Sequence, residues 1–371
     1  MHTAMLPGLE DHPHARAVLT AALPPDGHPS HAYLFHGPAG SGKREAAREL
    51  AAALLSDGAA DPQEAAQRVR SGAHPDLTWV SPSGAAEMLV SDIDEPVVAA
   101  ATRTPFESRR RVFVIERADT MNDQSANRML KTLEEPPPFA HLILLTDRLG
   151  EVLPTILSRC QLVRFDARPP AALAQKLARH GIPEPTATAC ARLALGDGDL
   201  AIALATANGP AIRDAAEKLV RASLNDTLAD KPWTAMLAGA KQAGEQAAAE
   251  VDARTQAELE MTSKRDRKRV EREGGERSKR AARRASTSAL DLGLRLTGLY
   301  LRDLACVADG VPEVAYNADR LDQLHEDARG RDPQKLRAGI EIVDDTRFRL
   351  QLNATEELAL EALAYRLADA L

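Results

Sequence analysis

The octapeptide GPAGSGKR, Gly37 to Arg44, has the residue types and spacing of a cradle for phosphate groups. It follows the apolar run Tyr33-Leu34-Phe35 and precedes EAARELAAALL, so the sequence predicts a strand, a glycine loop and a helix in that order. Gly37, Gly40 and Gly42 let the backbone turn tightly and aim N–H groups, Ser41 among them, at phosphate oxygens. The helix adds its positive N-terminal end, and Lys43 has the reach to meet terminal phosphates. ATP or ADP is therefore the expected ligand; the alternative is a glycine-rich turn with a surface lysine. The final position departs from the pattern. A hydroxyl residue there would hold Mg²⁺, but this chain has Arg44, whose guanidinium only donates hydrogen bonds and cannot ligate a cation. The loop thus proposes a nucleotide site without magnesium and argues against hydrolysis.

A second constellation points the same way. The apolar segment RVFVIE ends in Glu116, where a phosphate-loop NTPase places an acid that orients Mg²⁺ and its water. The next position normally carries the acid that activates the attacking water. Here it is Arg117, and a guanidinium that stays protonated cannot be a base. Glu116 retains the option of reaching a metal through water. Asp119 reads as the N-cap of the following helix, with a substitute base as the alternative.

These residues need a framework. From 32 to about 166, short apolar runs alternate with helical patterns. Strands are expected at Ala32–His36, Leu77–Ser81, Arg111–Glu116, Leu142–Thr146 and Gln161–Phe165. Helices are expected at Arg44–Leu55, Glu64–Arg70, Asp94–Thr102, Asn122–Leu133 and Leu153–Ser158, after a first helix at Ala15–Leu23 and a Pro/Gly loop. Such alternation implies an α/β domain with a mostly parallel sheet covered on both faces. RPPAALAQKLARHG then opens a small helical unit with GDGD at 196–199, and from 211 onward the pattern is helical almost throughout.

Composition sets the outer bounds. The chain has 371 residues, enough for two or three domains, and a net charge of −7. Hydrophobic residues are 44% but aromatics only 3%, so the apolar content is the helix-favouring kind. No apolar run has the membrane-crossing length of about 18 to 20 residues, and the N-terminus has no signal-peptide core. Cys160, Cys190 and Cys306 are isolated, which supports neither disulfides nor zinc and points to the cytoplasm. His12, His14, His28, His31 and His36 fit no metal-ligand spacing and read as ordinary surface or loop histidines. One segment, 264–284, holds 11 Lys/Arg and 4 Asp/Glu for a local net of +7, leaving −14 for the rest. It reads as a solvated helical extension with i,i+4 Glu–Arg pairs, broken or kinked at Gly274-Gly275, that buries little surface; contact with DNA phosphates is the alternative. No aromatic is interleaved there to stack on bases.

In order, GPAGSGKR, HPDL at 74–77, RVFVIERADTM at 111–121, NRMLKTLEEPP at 127–137 and LPTILSRCQ at 153–161 resemble the bacterial clamp-loader AAA+ subunits of DNA polymerase III. The set is most similar to the delta-prime branch, with gamma/tau the close relative, and RLQLNATEELALEALAYRLA at 349–368 is similar to that family's last collar helices. The resemblance implies an AAA+ nucleotide-binding domain (1–167), a small helical lid (168–208) and an all-helical oligomerising collar (209–371) with the charged insertion at about 240–285. It implies that Lys43 matches the phosphate-loop lysine and that Thr146 lies near the position sensing the γ-phosphate. It also implies that Arg159, the arginine of the Ser-Arg-Cys motif, reaches a neighbour's ATP as an arginine finger. Partners would be the gamma/tau and delta subunits, with the sliding clamp and primed DNA engaged through the complex, and no membrane. Departures from the family all touch one chemistry: Arg44, the pair Glu116-Arg117, and Ala201 where motor subunits carry a second sensor arginine. The family's four-cysteine zinc module has no counterpart in residues 56–73. The expected role is therefore a delta-prime-like subunit within the DNA-directed DNA polymerase holoenzyme, without ATPase activity of its own. An active gamma/tau-like motor and a non-replicative AAA+ adaptor are the alternatives.

Overall fold

A computed structural model describes residues 6, 9, 11–23, 27–82, 87–206, 208–263, 266–352 and 354–371. The chain divides into two compact units, Met1–Arg168 with Gly196–Gly198, and Pro169–Leu195 with Asp199–Leu371.

The first unit is built on a five-stranded, all-parallel sheet in the order β2-β3-β4-β1-β5. The strands are β1 (Ala32–His36), β2 (Leu77–Val80), β3 (Arg111–Ile115), β4 (Ala140–Thr146) and β5 (Gln161–Arg164). Each matches an expected strand, with ends shifted by at most two residues. Every residue of the inner strands β3 and β4 is buried, because helices cover both faces. Alternation sorts the side chains. Tyr33, Phe35, Val112, Val114, Ile143 and Leu145 pack with α1 (Pro13–Ala21), α2 (Lys43–Ser56) and α3 (Pro62–Ser71). On the other face, Leu34, Phe113, Ile115, Leu142 and Leu144 pack with α4 (Val90–Ile93), α5 (Asp123–Glu134) and α6 (Pro154–Leu157).

Local chemistry sets the ends. Asp61 caps α3 by accepting from the N–H groups of Gln63 and Glu64. The expected helix over Asp94–Thr102 starts earlier, at Val90, and passes through a π-helical turn at Asp94–Ala99. Pro96 lies in that turn and has no N–H to donate to the preceding turn, which accounts for the local widening. In the HPDL segment, Asp76 is fully buried and accepts from the backbone N–H groups of Phe106, Glu107 and Ser108 at 2.7–3.0 Å. A carboxylate with three N–H donors tolerates burial, and it pins the loop leading into β3. The loop expected after α1 falls partly on residues 24–26, outside the described residues.

The second unit is helical: α7 (Pro170–Arg179), α8 (Glu184–Leu193), most of α9 (Gly198–Ala205), α10 (Gly209–Leu224), α11 (Thr234–Met261), α12 (Arg267–Ala308), α13 (Leu321–Ala328), α14 (Pro333–Gln351) and α15 (Glu356–Ala370). Its core joins Leu173 and Leu177, through Leu219, Trp233, Leu294 and Leu301, to Leu360 and Leu367. Ala201 is buried in this same core.

Two expectations for the charged segment change. The helix is not broken at Gly274-Gly275, since α12 runs unbroken from Arg267 to Ala308. Gly274 sits where α12 crosses Thr255 of α11, and a Cβ there would overlap the threonine side chain. The glycine therefore permits close helix–helix approach rather than a break. The segment is also not solvated all round, because Val270, Gly274 and Ser278 form a buried stripe. Lys264 and Arg265 lie outside the described residues.

Candidate functional site

Parallel pairing brings the C-terminal ends of β3, β4 and β1 side by side, the usual place for a ligand in an open α/β sheet. β1 runs into Gly37–Gly42, β3 into Glu116, and β4 ends on Thr146 with Asp147 following. Gly40 and Gly42 adopt left-handed backbone, φ 62° and 96°, which lets the loop double back before α2 starts at Lys43. Gly40 is also held beneath the loop Gly196–Gly198: Gly198 N–H donates to Gly40 O at 3.0 Å, and a Cβ on Gly40 would overlap the Asp197 carboxylate. Ser41 is fully buried within the turn.

Three cations at this edge, Lys43, Arg44 and Arg168, have carboxylate partners. Lys43 Nζ donates to the carbonyls of Gly37 and Pro38, both at 2.6 Å, and pairs with Asp147 at 2.8 Å. Arg44 Nε pairs with Glu116 Oε1 at 2.7 Å. The same Oε1 accepts from Trp79 Nε1 at 2.7 Å, and Oε2 accepts from Ser81 Oγ at 2.8 Å. Arg168 Nη2 donates to Glu45 at 3.0 Å. The phosphate-loop pattern implies magnesium here, and the donor set does not fit it. The position of the metal-binding hydroxyl holds a guanidinium, and that guanidinium occupies the acid that would have oriented the ion. The Arg44 side chain is 63% exposed, so this pair contributes little stability. Its consequence is positional: a cation of the chain engages the acid that would otherwise face a metal.

Thr146 is buried at the end of β4. Its hydroxyl donates to Asp119 Oδ1 at 2.8 Å and accepts from Arg148 N–H at 3.0 Å. This corrects the reading of Asp119 as a helix N-cap. The cap of α5 is Asn122, which accepts from Ser125 N–H at 3.0 Å, while Asp119 lies in a 3₁₀ turn that directs it across to β4. Arg117, exposed and at φ 52°, begins that turn.

Two residues beside the loop carry no motif signal. Arg168 is 7% exposed, and its guanidinium lies against Gly42 where a Cβ would fall. His12 is buried rather than on the surface, packed against Phe165 at 5.0 Å between centroids. Burial, then the charge of Arg168, lowers its pKa and favours the neutral imidazole. Contact across more than a hundred residues creates both positions, and no local spacing encodes it.

Arg159 is separate from this group. It follows α6 and precedes β5, whose first residue is in register with Tyr33 near the start of β1. It therefore lies at the sheet edge opposite the phosphate loop, about 13 Å away along the strands. Among the described residues its polar contacts are with α5 and the α6 turn: Glu134 at 2.5 Å, Thr155 O at 2.8 Å and Ser158 Oγ at 3.0 Å. Nearby Cys160 has its thiol pKa pushed up to about 12 by burial. Among the described residues no three His, Cys, Asp or Glu side chains gather as a metal ion would require. No described helix is long and apolar enough to cross a membrane.

Residues 12–169 match the family model "DNA polymerase III, delta subunit". The chain is 36% identical over 159 residues to DNA polymerase III subunit delta' of Bacillus subtilis, covering 41% of this chain and 47% of that protein. It is 33% identical over 196 residues to the subunit delta' of Pseudomonas aeruginosa, covering 52% and 60%. The gamma/tau subunit of Mycobacterium tuberculosis is 35% identical over 171 residues, covering 45% and 29%. Among solved structures, a gamma subunit-related protein of Thermotoga maritima covers 91% of this chain and 95% of its own, at 17% identity and a TM-score of 0.41. The chain spans about half the length of the curated delta' relatives it matches. Over residues 12–169, then, the chain is similar to the delta-prime subunits of bacterial DNA polymerase III, the branch its motifs resemble.

Proposed function

We propose that this chain is a non-hydrolysing, delta-prime-like subunit of a bacterial clamp loader, which helps an ATP-driven assembly place a sliding clamp on primed DNA. The observation that carries the reading is the Arg44–Glu116 pair. It removes metal and water activation together, and Arg117 removes the base. Hydrolysis of ATP by this chain alone has no residue set to perform it. Nucleotide remains a candidate ligand through the glycine backbone and Lys43. To bind, its phosphates must displace Asp147 from Lys43 and draw on Arg44, so affinity depends weakly on magnesium.

Arg159 has the complementary disposition. At the far edge of the sheet it serves no phosphate of its own chain, which supports a role toward a neighbouring subunit's ATP. A guanidinium fork matches a terminal phosphate and stabilises charge on the transferring group. In the isolated chain Glu134 holds that fork, so engaging a neighbour means exchanging a carboxylate for a phosphate. The segment 168–208 would serve as the lid and 209–371 as the collar that joins gamma/tau and delta partners in the cytoplasm.

Reconstitution tests this reading. A gamma/tau motor subunit and a delta subunit are combined with and without this chain, and clamp loading on primed DNA is followed. Loading that requires the chain, with no turnover by the chain alone, is the expected result. Magnesium-dependent turnover by the chain alone, lost in Lys43→Ala, would instead identify a gamma/tau-like motor.

A further inference from the structure

The α11–α12 hairpin has a surface that the phosphate-loop chemistry does not use. α11 has 28 residues and α12 has 42, and the two pack side by side through close contacts. Ser286 Oγ donates to Ala240 O at 2.9 Å, and Gly244 and Gly274 each admit a side chain of the other helix where a Cβ would stand. With Val270, Gly274 and Ser278 turned inward, the opposite face of α12 is fixed outward. That face carries Lys268, Arg272, Lys279 and Arg283, all exposed, with Arg269 and Arg280 on its flank. The four lie at spacings of four, seven and four residues, and an 11-residue repeat stays almost on one line along a helix. At 1.5 Å per residue the stripe is about 22 Å long. Two acids lie beside them: Glu276 pairs with Lys279 at 3.4 Å, both ends of that pair more than half exposed, and Glu273 pairs with the flanking Arg269 at 3.7 Å.

The exposed charges of α11 are mostly of the opposite sign, with Glu245, Glu250, Asp252 and Glu260 outnumbering Lys241 and Arg254. The hairpin is therefore two-sided, and a polyanion meets net attraction only from α12. The chemistry of the stripe also selects the kind of polyanion. No aromatic residue occurs from Thr234 to Leu299, so there is nothing on which unstacked bases would rest. The stripe has no exposed apolar anchor of the sort that dominates protein–protein hot spots. A rigid row of cations without anchors fits a regular row of phosphates.

We infer that the exposed face of α12, centred on Lys268, Arg272, Lys279 and Arg283, binds the phosphate backbone of duplex DNA without reading its sequence. Duplex DNA carries one charge per about 1.7 Å of axis, so about 22 Å of helix faces enough phosphates for all four cations. This inference is independent of the state of the nucleotide site, and it needs no partner subunit to be tested.

The test uses the full chain and fluorescence anisotropy with a labelled mixed-sequence DNA duplex, the matching single strand and labelled polyglutamate. Four phosphate contacts predict that Kd weakens about 150-fold between 50 and 200 mM salt. Replacing all four cations (Lys268→Gln, Arg272→Gln, Lys279→Gln, Arg283→Gln) should weaken duplex binding more than about tenfold at 50 mM salt and flatten the salt slope. Each single replacement should lower the slope by about one, which keeps the test valid if the fourfold variant fails to fold. Neutralising Glu245 and Glu250 to Gln should leave binding unchanged or strengthen it. The inference is overturned if the folded fourfold variant binds duplex like the parent, if single strand binds better than duplex, or if neither binds. Polyglutamate bound as tightly as duplex would overturn it in favour of an acidic protein partner.

Discussion

At the scale of single residues, the phosphate loop is a set of exchanged partners. Lys43 has Asp147, Arg44 has Glu116 and Arg168 has Glu45, so these three cations beside the loop already meet carboxylates. Two outcomes follow from Arg44 in particular. Calorimetry with ATP should show affinities that agree within about tenfold, or 1.4 kcal/mol, with and without magnesium. In Arg44→Thr the hydroxyl returns and Glu116 is released, so magnesium should then tighten binding; the absence of any such gain would show that Arg44 is not what excludes the ion. Turnover should stay negligible in that variant, because Arg117 still stands where the base belongs. Arg159→Ala should leave folding and nucleotide binding by this chain unchanged. In the proposed trans role it should slow hydrolysis at one neighbouring site of a reconstituted loader, where trans arginines contribute about 10³- to 10⁵-fold. Bulk ATPase would fall less, because other sites keep their own arginines, so single-turnover measurement is the informative assay. Equal rates for parent and mutant loaders would make Arg159 a structural residue bonded to Glu134.

At the scale of elements, the α11–α12 hairpin separates two adjacent glycines by their surroundings. Gly274 lies under Thr255, whereas Gly275 faces open space. Gly274→Val should therefore overpack the crossing and destabilise the second unit by about 1–3 kcal/mol. Gly275→Ala should stabilise it by about 0.5–1 kcal/mol, since alanine loses less backbone entropy in a helix. Thermal unfolding of the two variants gives opposite shifts in Tm if this packing is right, and shifts of the same sign would refute it.

At the scale of the whole molecule, charge and protonation govern behaviour with pH. His141 on β4 is buried, and its Nδ1 donates to Ser30 O at 2.9 Å. Burial lowers its pKa to about 4 from the 6.5 of an exposed imidazole. The folded chain keeps it neutral while the unfolded chain takes up a proton below about pH 6.5. The stability linked to this group is therefore complete above pH 6.5 and is lost as pH falls toward 4, by about 3 kcal/mol. His12, His36 and His74, also lowered chiefly by burial, act in the same direction. Denaturant midpoints at pH 7 and pH 4.5 should differ more for the parent than for His141→Gln. Equal differences would assign the acid sensitivity elsewhere.

Much of the first unit was legible in the sequence because its determinants are local. Apolar runs between helical periods mark the five strands, and GPAGSGKR and RVFVIE mark the loop and the acid by residue type alone. Arg44 and Arg117 were legible as losses for the same reason, since a guanidinium cannot ligate a cation or accept a proton in any surroundings. The reach of those losses was decided in three dimensions. Only the parallel order β3-β4-β1 brings Glu116 and Asp147 to the loop, where Arg44 and Lys43 engage them. The partner of Asp119, the burial of His12, the position of Arg168 over Gly42 and the separation of Arg159 from the loop all depend on contacts between distant segments. Gly274-Gly275 shows the limit most directly. By propensity the pair reads as a helix break, and the helix continues because packing against Thr255 outweighs a preference of about 1 kcal/mol per glycine. Side-chain type is a property of the chain, whereas the partner each side chain meets is a property of the fold.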